Sequence, residues 1–228
     1  DNDALPDLDG LRGLTEVTGA LEIDRSDALS NISGLSSLST VGGDFEIHAN
    51  WALESLGGLS SLSTVEGTLT VRNNVVLPTL SGLESLTHIG HDLDIGHNDV
   101  LMDLNGLDGL THVNGDVTIS ENNALTSLHG LSNLLEVNGT LQVFQCESLL
   151  STEGLSSLRN VSTPDHSGGL WFNGNDALIS LDGLDSLTTV DEVFIFNNVA
   201  LTSAAGFPAL TTVHTEFAIT YNDVLIDL

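Results

Sequence analysis

Lysine is absent from the 228 residues, and the whole basic complement is four arginines (Arg12, Arg25, Arg72 and Arg159) against 32 acidic residues. The net charge of −28 excludes functions that neutralise phosphate with basic side chains, namely nucleic-acid binding and docking on anionic lipid. Cysteine is nearly absent too. The single Cys146 forms no disulfide within the chain, which excludes a small disulfide-stapled scaffold and leaves the compartment open. No apolar run reaches the roughly 18 residues that a membrane-spanning helix needs, so no membrane insertion is expected of this segment. The chain opens at Asp1-Asn2-Asp3-Ala4-Leu5 and closes at Asn222-Asp223-Val224-Leu225 in one phase of one pattern, and it is expected to be a piece of something longer.

What is present is apolar and regular. Hydrophobic residues make up 40% of the chain, enough for a sizeable core, so the charge does not imply disorder. One leucine recurs at Leu5, Leu29, Leu53, Leu77, Leu101, Leu125, Leu149, Leu178, Leu201 and Leu225, in steps of 24 residues six times and then 29, 23 and 24. The unit reads N-x-A-L-x-x-L-x-G-L-x-x-L-x-x-V-x-G-x-L-x-I-x-x, and so fixed a period is the mark of a solenoid. Within it, pairs such as Leu21/Ile23, Leu69/Val71 and Val117/Ile119 alternate with polar residues, as a half-buried strand does. The other apolar positions recur every three residues, and the L-x-G-L glycine argues against a helix there. That glycine is expected to supply a bend with φ > 0. The predicted fold is all-β: a single parallel β-helix of about nine 24-residue coils over residues 1–228. Coils stacked about 4.8 Å apart give a rod roughly 43 Å long.

A second ladder runs through Asn50, Asn74, Asn98, Asn122, Asn175, Asn198 and Asn222, with Cys146 standing in one rung. Stacked amides hydrogen-bond along such a rod and satisfy turn backbone. A buried thiol is a small substitute with a weak donor. A catalytic role for Cys146 is not expected, since the register fixes no histidine beside it.

The stretches Leu69-Thr70-Val71-Arg72-Asn73-Asn74-Val75-Val76-Leu77 and Leu141-Gln142-Val143-Phe144-Gln145-Cys146-Glu147-Ser148-Leu149 resemble the L-x-L-x-x-N/C-x-x-L core of leucine-rich repeats. The longer signature Leu59-Ser60-Ser61-Leu62-Ser63-Thr64-Val65-Glu66-Gly67-Thr68-Leu69 resembles the receptor L domain, the leucine-rich β-helix of insulin and epidermal growth factor receptor ectodomains that also occurs in fungal and bacterial surface proteins. The resemblance covers essentially the whole chain. It implies a right-handed β-helix, no catalysis, and protein binding outside the cell or at its surface. The absence of flanking cysteine-rich modules and the near-perfect regularity point to the bacterial or archaeal cell-surface type, and the charge suits a salty, halophilic habitat.

Exceptions to the repeat are where function is expected. The outward pairs on the L-x-I strand run Glu22/Asp24, Glu46/His48, Thr70/Arg72, Asp94/Gly96 and Thr118/Ser120, then become Gln142/Phe144, Trp171/Asn173 and Phe194/Phe196 before returning to Ala218/Thr220. Beside them lies a five-residue insertion within 162–169, and the next coil, Val190-Asp191-Glu192-Val193, is one residue short and lacks the turn glycine. The expected partner-binding face is therefore Phe144, Trp171, Asn173, Phe194, Phe196, Asp165 and His166, exposed and anchored by Trp171, since aromatics dominate interface hot spots. The competing reading is that the loop or another domain covers these aromatics. A structural subunit of a surface filament, layer or adhesin stalk, associating through the patch or coil ends, is the alternative function.

The expected cofactor complement is none, with two candidate exceptions. His88 and His112 share one column, with His91 nearby, and adjacent imidazoles there would share zinc with a carboxylate such as Asp92. The same column holds Glu16, Thr40, Thr64, Glu136, Asn160, Thr189 and Thr212, which fits drift at a tolerant polar position equally well. Calcium along the acidic strip Asp44, Asp92, Asp94 and Asp116 is the second, although no D-x-D-x-D-G loop is present. A polysaccharide-active β-helix enzyme is the catalytic rival. Such sites resemble one another in using basic residues against uronates, whereas Arg25 and Arg72 here lie two coils apart on an acidic face.

Overall fold

The computed structural model describes residues 2–227. Each of the first seven coils contributes a two-residue strand and a four-residue strand, and each strand pairs in parallel with its counterpart in the next coil, 24 residues away in the regular coils. The short strands are Glu16–Val17, Thr40–Val41, Thr64–Val65, His88–Ile89, His112–Val113, Glu136–Val137 and Asn160–Val161. The long ones are Leu21–Asp24, Phe45–His48, Leu69–Arg72, Leu93–Gly96, Val117–Ser120, Leu141–Phe144 and Leu170–Asn173. In the eighth and ninth coils the two merge into continuous strands, Thr189–Phe196 and Thr212–Thr220, and the eighth joins both ladders into one sheet. The result is a parallel β-solenoid of nine coils.

The merger has a local cause. Most earlier coils turn between their two strands through a V-x-G-x step, such as Val113-Asn114-Gly115-Asp116. The eighth coil has only Asp191 and Glu192 between its valines, so the strand runs straight on, and the register slips there by one residue against the ninth coil.

The recurring leucines fill the interior. Leu29, Leu53, Leu77, Leu101, Leu125, Leu149, Leu178 and Leu201 are all completely buried in one continuous cluster with the inward strand residues. Parallel strands space equivalent residues one pairing distance apart, so each leucine packs on the same leucine of the next coil.

The structure revises the reading of the L-x-G-L glycine. It adopts a positive φ in some coils, as at Gly82 (119°) and Gly106 (113°). In four others it lies inside a single-turn 3-10 helix, at Asp9–Leu11, Ser33–Leu35, Gly57–Leu59 and Glu153–Leu155. The more general requirement is space: a Cβ at Gly34 would overlap the Leu8 carbonyl of the preceding coil, and one at Gly82 the Leu56 carbonyl. The regular left-handed position lies elsewhere, immediately before the asparagine rung. Arg25, Ala49, Asn73, His97, Glu121, Gln145, Gly174, Asn197 and Tyr221 hold φ between 45° and 64° there.

The asparagine ladder forms as a two-ended device. The Oδ1 of Asn74 accepts from the Asn50 backbone N–H at 3.1 Å, while its Nδ2 donates to the Ile47 carbonyl at 2.9 Å. Asn50, Asn98, Asn122, Asn175, Asn198 and Asn222 repeat both contacts. Cys146 occupies its rung with Sγ 4.0 Å from the Ile119 carbonyl oxygen, a weak contact where the other coils place an amide. No helix among the described residues is long and apolar enough to cross a membrane.

Candidate functional site

The outward positions of the long-strand sheet are aligned by register. Gln142 pairs with Trp171, which pairs with Phe194, and Phe144 pairs with Asn173, which pairs with Phe196. The side chains of Phe144, Trp171, Asn173, Phe194 and Phe196 are half-buried, less open than the expectation of an exposed patch. They bury one another: the Trp171 and Phe194 rings meet edge to face at 5.8 Å, a favoured aromatic arrangement. Gln142, Phe144, Trp171, Asn173 and Phe196 line a hollow of about 250 Å³ with Val143 at its floor. The indole Nε1 donates to Glu192 Oε1 at 3.1 Å, which fixes the ring's tilt. Burial raises the pKa of Glu192, with the neighbouring carboxylates of Glu216 and Asp191 adding to the shift against this hydrogen bond.

Loop 162–169 does not line this hollow. It folds along the turn side of the coil and is tied down by Asp191, a wholly buried carboxylate. Asp191 Oδ2 accepts the Thr163 backbone N–H at 2.6 Å and that of Gly168 at 3.3 Å. Its Oδ1 faces His166 Nδ1 at 2.9 Å and His214 Nδ1 at 3.1 Å. Burial pushes the Asp191 pKa up, but the Thr163 amide, His166 and the Gly168 amide together outweigh it and hold the group below its ordinary value.

Asp165 and His166 therefore stand apart from the aromatics with which the sequence grouped them. Asp165 Oδ1 accepts the hydroxyls of Thr163 at 2.7 Å and Ser167 at 2.8 Å, which lower its pKa and brace the loop from within. His166 stacks on His214, ring centroids 3.9 Å apart and 19° from parallel. Reading the sequence missed His214 and the role of Asp191. A signal was there: Val190 and Val213 share a rung, so the residues that follow them, Asp191 and His214, are neighbours by register.

The other metal candidates have different partners. Asp44, Asp92 and Asp116 each turn Oδ1 onto a backbone N–H of the next coil, Thr68 at 2.9 Å, Asp116 at 2.8 Å and Thr140 at 2.6 Å. Asp94 takes Arg72 Nη1 at 2.8 Å. His88 faces Glu66 at 3.6 Å and His112 faces Glu136 at 3.7 Å. Among the described residues, only His166, Asp191 and His214 bring three metal-ligating atoms within 4.8 Å of one another. Three carboxylates of the acidic strip thus cap backbone N–H groups and the fourth, Asp94, pairs with Arg72.

Apolar exposure lies mainly elsewhere, on the turn that follows the asparagine ladder. Met102 (54% exposed), Leu150 (50%) and Ile179 (51%) project there, the last two on adjacent coils joined by the Ile179 N–H to Leu150 carbonyl bond. Compared with known protein families, characterised proteins and solved structures, the chain matches none.

Proposed function

We propose that this chain is a non-catalytic binding module of an extracellular or cell-surface protein, of the kind its resemblance to receptor L domains implies. It engages a protein partner through the outward face of coils six to eight. The observation that carries the reading is the hollow between Phe144, Trp171 and Phe196, floored by a rigid sheet. A concave, aromatic-lined site on a preformed surface costs little ordering entropy to bind, and Trp and Phe supply large contact area there. The surrounding negative charge favours a partner with a basic rim and steers it electrostatically.

The test compares wild type with a Trp171→Ser/Phe196→Ser double variant against a panel of purified extracellular protein domains. Both proteins should give the same far-ultraviolet circular dichroism. A domain that binds wild type should lose at least ~100-fold in affinity to the variant, as loss of two hot spots implies. Equal binding of both would remove this face from consideration.

Exposed Met102, Leu150 and Ile179 favour a second reading, a structural subunit whose rods pack side by side along the turn column. Light scattering across salt separates the two. Association that strengthens with salt and disappears in Leu150→Ser/Ile179→Ser supports the subunit; a monomer at every salt concentration eliminates it.

A further inference from the structure

We propose that His166, Asp191 and His214 form a binding site for a divalent transition-metal ion of the zinc class, which clamps the insertion loop onto the last two coils. The site stands independently of the docking face, since none of its three ligands lines the hollow.

Three elements supply one ligand each: the inserted loop, the shortened eighth coil and the ninth coil. Two imidazole Nδ1 atoms stand 2.9 and 3.1 Å from the same carboxylate oxygen. Ligands bound to one tetrahedral zinc at about 2.0–2.2 Å are separated by roughly 3.3–3.6 Å, so a small outward movement of each histidine from Asp191 opens the spacing of two ligands on one ion. The carboxylate is oriented for this. Its Oδ2 is held by the Thr163 and Gly168 amides, a supporting layer that aims Oδ1 at the two rings, as backbone donors do around metal ligands.

Exposure divides the site in the way an open coordination sphere requires. The Asp191 side chain is 0% exposed, whereas His166 is 48% and His214 30% exposed. An ion seated among them keeps a face toward water for a fourth ligand. The rings now lie nearly parallel, so their in-plane lone pairs must converge by rotation. His166 can do this, because it sits on an exposed loop outside the sheet. Two imidazoles and one carboxylate suit zinc, cobalt or nickel; the oxygen-seeking calcium and magnesium would need more carboxylate and carbonyl ligands than converge here.

The site also accounts for the neighbouring deviations. One residue fewer in the eighth coil removes the turn and puts Asp191 in the straightened strand, and the five extra residues in the seventh carry His166 across to it. A left-handed backbone at His166 (φ 58°) completes the approach, at a position outside the recurrent turn column. An ion there would close the loop on both coils and brace Glu192, which orients Trp171.

The test is isothermal titration of zinc chloride into full-length chain freed of metal with a chelator, with cobalt(II) absorption as a second readout. We expect one equivalent per chain with a dissociation constant of micromolar or tighter, and a cobalt band of tetrahedral intensity. His166→Ala, on the exposed loop, and His214→Gln, on the ninth strand, should each weaken binding at least ~10-fold. His88→Ala/His112→Ala should bind as wild type does. Thermal midpoints without metal confirm that every variant folds. No uptake by wild type, or uptake unchanged in His166→Ala and His214→Gln, overturns the site. Loss confined to His88→Ala/His112→Ala overturns it equally, by placing the ion on the other column.

Discussion

At the scale of single residues, Cys146 is the one irregular rung in a ladder whose other members each bridge two coils. An asparagine there would present Oδ1 to the Asn122 amide and Nδ2 to the Ile119 carbonyl, as its neighbours do. Each net hydrogen bond contributes about 0.5–1.5 kcal/mol, so Cys146→Asn should stabilise the chain by about 1–2 kcal/mol in urea denaturation. An unchanged or lower midpoint would show that the larger amide does not fit this rung. The reverse change, Asn98→Ala, leaves the Asn74 amide and the Val71 carbonyl without the partners they have now. It should cost about 2–4 kcal/mol, because each orphaned buried group carries its own desolvation penalty of about 1–3 kcal/mol. Burial also pushes the Cys146 thiol up to about 12. The nucleophile is the thiolate, so folded protein should resist a thiol-specific disulfide reagent at pH 8 and react fully once denatured. Rapid labelling of the folded chain would contradict that burial.

At the scale of the repeating element, the turn between the two strands couples consecutive coils through an aspartate and a glycine. The Asp92 carboxylate reaches the Asp116 amide by passing through the space where a Cβ on Gly115 would sit, and Asp44 and Asp116 do the same over Gly67 and Gly139. Gly115→Ala should therefore be destabilising by about 2 kcal/mol, in the range of overpacking. Part of that loss should vanish when Asp92 is already alanine, with a coupling of about 1 kcal/mol in the double-mutant cycle. Strict additivity would mean that the glycine answers only to backbone, here the nearby His91 carbonyl. This coupling was not legible in the sequence, whereas the inward leucines, the asparagine ladder and the number of coils were. Those features repeat at one spacing, and a parallel stack converts equal spacing directly into contact. Side chains that deviate from the pattern are harder to place. Asp165 looked like part of a binding face and braces its own loop. His166 and His214 meet only because an insertion and a deletion in neighbouring coils act together, and neither change alone foretells where the loop lies. The aromatic column sits between these cases: its register was readable, and the depth to which its rings bury one another was not.

At the scale of the whole molecule, the dominant unbalanced term is charge. A net −28 is distributed over a rod roughly 43 Å long, on the usual strand spacing. At 0.01 M salt the Debye length is about 30 Å, so nearly every carboxylate feels its fellows several coils away; at 1 M it is about 3 Å and only immediate neighbours interact. Unfolding spreads the charges apart and relieves the repulsion, which makes the compact state the one that gains from screening. The thermal midpoint should therefore rise with sodium chloride, by about 4–8 °C if screening recovers ~2 kcal/mol in a chain of this size. The shape of the rise identifies the cause. Screening acts mostly below ~0.3 M, where the Debye length has already fallen to about 6 Å, and should then level off. Strengthened apolar burial instead keeps increasing with concentration and favours sulfate over chloride at equal ionic strength. A plateau shared by the two anions would assign the effect to the acidic surface. A midpoint independent of salt would mean that repulsion among the carboxylates does not limit the stability of the fold.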